Sequence, residues 1–377
     1  NMRMDGENRY PYHYTLGAAD DLQLTKKVGE YIAEDVANAG FHFNFGPVAD
    51  VNSNPDNPVI GFRSFGDRTE DVAKHVKVMV EGIQSVGIYA TAKHFPGHGD
   101  THVDSHHDLP TINRTVEQFR KVDWVPFKAA INVGVKSIMV GHINVPSLDP
   151  SGTPSSLSSI VIQKYLREEL NFKGLVISDA LNMDAVSKKY AKHEVAIKAY
   201  EAGNDILVYS EDVEGAIDAI KKRIKQGKIS EDRVNETCKR ILMAKHEMIG
   251  KTEVSTVSST DGQRKLLINQ VFENATTVVK NEQALPFTSL ENGVELIAIG
   301  GNSDGFYQQL KEYSPVRVTR LEVSKVEQFN VKQTINANQI VVSLHATSLK
   351  PFQNFSVPTS LTNLVKSLPL ETPKTLV

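Results

Sequence analysis

Five short apolar, β-rich runs recur along the first two thirds of the chain, each followed by a helical pattern. They are "FHFNF" (Phe41 to Phe45), "IYATA" (Ile88 to Ala92), "SIMV" (Ser137 to Val140), "LVI" (Leu175 to Ile177) and "ILVY" (Ile206 to Tyr209). A strand that is apolar throughout, rather than on alternate residues, is covered on both faces. Strands of that kind separated by helices therefore predict an α/β fold with a parallel sheet. The helices have their own signals. Leu24, Val28, Ile32 and Val36 recur at four-residue spacing within 22–38, after Asp20 and Asp21 as candidate caps, and Ser230 precedes a helix whose first turn holds Glu231 and Asp232 and which ends near Gly250.

A doubly wound sheet and a (β/α)8 barrel both fit this pattern, and the polar residues separate them. Barrel enzymes place their chemistry just beyond the carboxyl ends of several strands. Here Lys93 and His94 follow "IYATA", His142 follows "SIMVG" and Asp179 follows "LVIS". Several strand ends converging on one site favour a TIM-type barrel, over residues 1–250. The polar, unpatterned stretch 251–262 suits a linker. Residues 263–377, with a helix near Gln263 to Ala275, strands "ELIAIGG" and "QIVVSLHA" and a possible third at "PKTLV", predict a smaller, partial α/β sandwich domain. Gly300 and Gly301 lack the spacing of a dinucleotide loop and read as a turn leaving a strand.

At 377 residues, with 42 basic against 45 acidic side chains, the chain is too balanced in charge to predict nucleic acid or an anionic membrane as its main partner. No run approaches the roughly 20 apolar residues that cross a bilayer, so a soluble protein is expected, with its compartment open. Cys238 has no partner cysteine, shares a stripe with Val234, Ile241 and Leu242, and is expected to be a packed thiol.

"KHFPGHGDTHVDSHHDLP", Lys93 to Pro110, holds five histidines and three aspartates in eighteen positions. As a metal site it would draw on His94, His98, His102, His106 and His107. Pro96, Gly97 and Gly99 argue against the helix that would align them, however. A glycine-punctuated loop leaving a buried strand is a common seat of catalytic groups. Asp104 and His106, two apart, point to the same side of an extended segment, where the carboxylate can fix the imidazole tautomer and leave the other nitrogen to exchange protons. Asp100, His102, His107 and Asp108 are read as solvent-facing. Asp179 is either the N-cap of a helix beginning near Ala180 or a nucleophile, since a carboxylate after a buried strand must be hydrated, paired or used. Arg63, bracketed by Pro58, Gly61 and Gly66, is placed to grip ligand oxygens, as are Lys93 and His94.

Together, "KHFPGHGDTHVDSH" and "GLVISDALNM" resemble glycoside hydrolase family 3 in its β-N-acetylglucosaminidase branch. "TLGAADD", "FNFGPVADVNSNPDNPVIGFRSFG", "GTPSSLSS" and "NATTVVKNEQALPF" fall in the family's order. The resemblance implies a retaining exo-enzyme that removes terminal GlcNAc from muropeptides or chitooligosaccharides. Asp179 would be the nucleophile, His106 the general acid/base, Asp104 its orienting partner, and Arg63, Lys93 and His94 the sugar ligands. It implies a small GlcNAc-containing carbohydrate as substrate, a bacterial setting, and no metal or organic cofactor. It also implies an aspartate- and glycine-rich strand upstream of Asn1 and a longer second domain, so the chain is expected to be a fragment. A β-N-acetylglucosaminide phosphorylase and a sugar-binding module with impaired catalysis are the alternatives.

Overall fold

The computed structural model describes residues 9–102, 108–249, 259–279, 281, 285, 293–329, 339–345, 359–368 and 374–376. The chain divides into two compact units, Asn1–Thr277 and Val278–Val377.

The first unit is α/β, of the (β/α)8 TIM-barrel type. Its strands β1 (Phe43–Asn44), β2 (Tyr89–Phe95), β3 (Ser137–Val140) and β4 (Leu175–Ser178) lie in that order in one sheet, all parallel. Among the described residues this sheet does not close into a ring. β3 coincides with the expected run, and β4 exceeds it by Ser178. β2 runs three residues past "IYATA", through Lys93 and His94, while β1 keeps only two residues of "FHFNF". The expected strand "ILVY" reduces to a single parallel bridge between Ile177 and Ile206.

Helices α1 (His13–Ala19), α2 (Leu22–Asn38) and α3 (Thr69–Ser85) follow the apolar periodicity. Of the two candidate caps of α2, Asp21 does the work: its carboxylate accepts the N–H groups of Gln23 and Leu24 at 2.9 and 3.0 Å, and Asp20 sits outside the helix in a left-handed conformation. α3 packs on α2 and on the helix Trp124–Asn132. Behind β2, Phe95 stacks on Trp124 at 6.0 Å and meets Phe127 edge-on at 5.4 Å, with all three rings fully buried. This aromatic block holds the end of β2 firmly just where its polar residues begin.

Two expectations change here. The helix Asp261–Ala275, capped by a reciprocal Thr260–Gln263 box, belongs to the first unit and not to the second domain. Its Arg264 is buried against Asp35, Glu34 and Tyr10, so the linker cannot extend to 262 and this helix packs on the first unit; residues 250–258 lie outside those described. Cys238 is exposed. Helix Glu231–Ile249, which Ser230 does cap through the Arg233 N–H at 3.2 Å, buries the face of Thr237, Ala244 and Met248. Cys238 lies one residue round from that face, a rotation of about 100°, and Leu242 is turned further from it.

The second unit is a parallel sheet in the order β6-β5-β7-β8, from β5 (Val294–Gly300), β6 (Val316–Leu321), β7 (Gln339–His345) and β8 (Lys374–Leu376). β6 escapes sequence reading because Arg317, Thr319 and Arg320 interrupt it, which only an edge strand tolerates. Gly300 does end β5 in a turn. Its φ of +96° and the His345 carbonyl beside it leave no room for a side chain.

Candidate active site

The site grows from the carboxyl ends of β2 and β4. Val48 bridges Lys93, and the Ala49 N–H donates to the Lys93 carbonyl at 2.6 Å, so the chain just past β1 runs alongside the end of β2. The next residue is Asp50, fully buried. Its Oδ2 meets His94 Nδ1 at 2.8 Å, its Oδ1 accepts the His98 N–H at 2.7 Å, and the His94 N–H lies 3.2 Å from both oxygens. The residues after His94 are held in the same way. Asn57 donates to the His98 carbonyl at 2.9 Å, Asn54 donates to the Thr101 carbonyl at 2.8 Å, and His98 Nδ1 meets the Thr101 hydroxyl at 3.0 Å. Gly99 passes so close to the Val51 carbonyl that any Cβ would collide with it. The strand-end loop is thus cast against the segment Asp50 to Asn57, which supplies the polar partners its backbone lacks.

Asp179 is the first residue after β4. Its N–H donates to the Val140 carbonyl at 3.0 Å, which seats it between β3 and β4, and its Oδ1 accepts the Ala180 N–H at 2.8 Å. The N-cap reading fails, because the following helix begins at Asp184 and Asp179 caps no part of it. Burial pushes the Asp179 carboxyl up, yet His94, His142, the Ala180 N–H and Lys93 outweigh it and hold the group below the usual carboxylate range. At neutral pH it is a carboxylate. His142, fully buried after β3, donates from Nε2 to the Ala180 carbonyl at 2.9 Å and meets the Ser156 hydroxyl through Nδ1 at 2.6 Å. It therefore braces the turn that carries Asp179.

The predicted ligands Arg63, Lys93 and His94 share this neighbourhood. Arg63 ends the 3-10 turn Gly61–Arg63, and its Nη1 donates to the Val59 carbonyl at 3.2 Å. Arg63 and Asp179 both act electrostatically on His94, and Lys93 acts on Asp179. His13, which sequence reasoning passed over, stacks flat on Phe65 with centroids 4.2 Å apart. Burial, opposed by a hydrogen bond from the ring to the Arg63 backbone carbonyl and assisted by the Lys93 and Arg63 charges, pushes the His13 ring down to about 3. Asp50 was missed as well. The signal for it was a carboxylate two residues past the apolar "PV" of "FGPVADV", a looser form of the placement directly after a strand that singled out Asp179.

Asp104 and His106 lie outside the described residues, and so does His107. The residues on either side of 103–107 are well tied. Asn54 Nδ2 meets His102 Nδ1 at 3.2 Å, Arg114 pairs with Asp100 at 3.0 Å and with Asp123 at 2.8 Å, and the Asn144 N–H donates to the Pro110 carbonyl at 2.8 Å. Asp100 is thus an ion-pair partner and not simply solvated. Burial pushes Asp123 up to about 7 against the pull of Arg114. The described histidines of the stretch turn to different partners: His94 to Asp50, His98 to Thr101 and His102 to Asn54.

Residues 1–244 match the glycosyl hydrolase family 3 N terminal domain. The chain is 31% identical over 302 residues to beta-hexosaminidase A of Pseudoalteromonas piscicida, covering 74% of this chain and 50% of that protein. It is 34% identical over 218 residues to the beta-hexosaminidase of Nitrosomonas eutropha, covering 56% of this chain and 62% of that one. A solved family 3 beta-N-acetylglucosaminidase from Paenibacillus sp. str. FPU-7 superposes with a TM-score of 0.81 at 31% identity, over 99% of this chain and 74% of that one. The chain spans about half the length of the first of these curated relatives.

Proposed function

Because this chain belongs to glycoside hydrolase family 3, we propose that it carries the active site of a retaining exo-β-N-acetylglucosaminidase acting on terminal, non-reducing GlcNAc of muropeptides or chitooligosaccharides. The observation that carries this reading is Asp179, a carboxylate at the end of β4 that lies below the usual carboxylate range, accepts the Ala180 N–H and feels the charge of Lys93. In the first step an Asp179 oxygen attacks the anomeric carbon as the bond to the aglycone oxygen breaks, and His106 gives its proton to that oxygen. In the second, His106 takes a proton from water, water attacks the anomeric carbon, and the ester to Asp179 is cleaved. Asp104 orients His106 and stabilises its protonated form. Arg63, Lys93 and His94 hold the sugar ring.

A histidine suits this cycle, because esterified Asp179 has lost its charge and an imidazole paired to a carboxylate exchanges protons near neutrality. No cofactor takes part. The test is to trap the covalent intermediate with a 5-fluoro GlcNAc-type inhibitor and to map the peptide that gains mass. Labelling of the peptide holding Asp179 is expected; labelling elsewhere, or none while the substrate is turned over, sinks the scheme.

A further inference from the structure

The scheme above gives Asp50 no part, yet this buried carboxylate directs every side-chain hydrogen bond it makes to the residues that leave β2. A carboxylate only accepts, so the nitrogen that faces it, His94 Nδ1, must carry a proton. In the neutral ring the other nitrogen then has none, and Nε2 offers only its lone pair. Nothing among the described residues bonds to Nε2. The ring is also fixed in place. The His94 N–H is tied to the same carboxylate, the His98 ring stands edge-on at 5.8 Å, and a Cβ at Gly141 would come within 3.1 Å of the His94 Cβ.

We propose that Asp50 is a positioning residue that fixes His94 as the Nδ1–H tautomer, so that Nε2 accepts a hydrogen bond from one ring hydroxyl of the sugar and the site selects a hydroxyl donor there. The charged and titratable groups that bear on His94 are Asp50, His98, Arg63 and Asp179. Burial, the largest influence, outweighs the two carboxylates and keeps the ring below the usual histidine range, hence neutral at pH 7.

This inference rests on the glycosidase reading only for the identity of the ligand; the tautomer is a property of the protein alone. Nitrogen-15 NMR of histidine-labelled protein is expected to show His94 with a protonated Nδ1 and an unprotonated Nε2. In Asp50→Asn the amide cannot accept from three N–H donors, so the Nδ1 proton is expected to be lost or exchanged with Nε2. KM for an aryl GlcNAc glycoside should then rise roughly tenfold to a hundredfold, as for an unsatisfied buried polar group, with kcat falling less. Asp50→Glu should restore part of the loss. Among analogues with single ring hydroxyls replaced, one position should be punished equally by hydrogen and by fluorine, because fluorine cannot donate, and Asp50→Asn should blunt that penalty.

An Nε2 proton in the unaltered protein overturns the inference, and needs no variant to fold. It falls equally if Asp50→Asn lowers thermal stability while KM stays put, or if fluorine is tolerated at every position. If the NMR result is as expected but no GlcNAc glycoside is hydrolysed, the tautomer stands and the function proposed for the site fails instead.

Discussion

The sheet β1 to β4 and the sheet β5 to β8 are built on one plan, parallel and apolar, and they finish differently. The first ends in Asp50, Lys93, His94, His142 and Asp179, each near or tied to another. In the second, β5 ends on Gly300 and β7 on His345, whose ring meets the Ser343 hydroxyl at 2.8 Å, and the buried carboxylate of that sheet, Glu295, sits near the start of β5 and is pushed up by burial. Buried parallel strands are a generic solution to hiding apolar surface, and they say little about chemistry. Polar groups beyond the carboxyl ends cost free energy to bury, so where they gather and stabilise one another a function is the economical explanation.

The contrast can be broken most sharply at Asp179. Asp179→Ala is expected to lower kcat/KM for an aryl GlcNAc glycoside by about 10^4-fold or more, with an unchanged circular dichroism spectrum. Near-normal turnover would leave the first sheet no more chemical than the second. His106→Ala should cost about 10^2- to 10^4-fold on substrates with poor leaving groups and far less on nitrophenyl glycosides, whose leaving oxygen needs no proton. Equal slowing of both would remove the acid role.

On the other side of the comparison, Leu296, fully buried in β5, should cost about 2–5 kcal/mol of stability when cut to alanine, with little change in kcat at temperatures where the protein stays folded. A large fall in kcat there would mean that the second unit shares in the chemistry. The smallest effect concerns acid. Burial, then the charge of His94, pushes His98 down to about 4 from an ordinary 6.5. The unfolded chain therefore takes up a proton that the folded one refuses. Stability from this group is complete above pH 6.5 and declines as the pH falls towards about 4, by about 3 kcal/mol in all. Thermal denaturation across that range should show the decline, and His98→Gln should make it shallower, leaving the part that His13 and His94 contribute.

Much of this architecture was legible because burial on both faces leaves an unmistakable apolar run. β3 shows it over all four of its residues, and Asp179 could be picked out because it follows such a run directly. Reading failed where one signal masked another. Lys93 and His94 belong to β2, but their charge and polarity made the strand look shorter than it is. Ile206 to Tyr209 had a strand's composition, yet among the described residues only Ile206 makes a β-bridge, while Val208 bonds to Leu181 and to the Ser178 hydroxyl. Asp50 lay in a loop with several other polar residues, and only the fold brings it beneath His94. Cys238 shows the limit of helical periodicity, which describes a stripe without saying which edge of it faces the core.

The buried pairing of Arg264 with Asp35 and Glu34 has a practical consequence for anyone dividing this protein. Arg264 is more than two hundred residues from both carboxylates in sequence and lies on the other side of the stretch that looks like a natural cutting point. A chain shortened at Gly250 would keep every residue of the proposed chemistry and yet leave Asp35 sealed in α2 without its cation. The first unit can be excised whole only by cutting beyond Thr277, where the helix that supplies that cation has already ended.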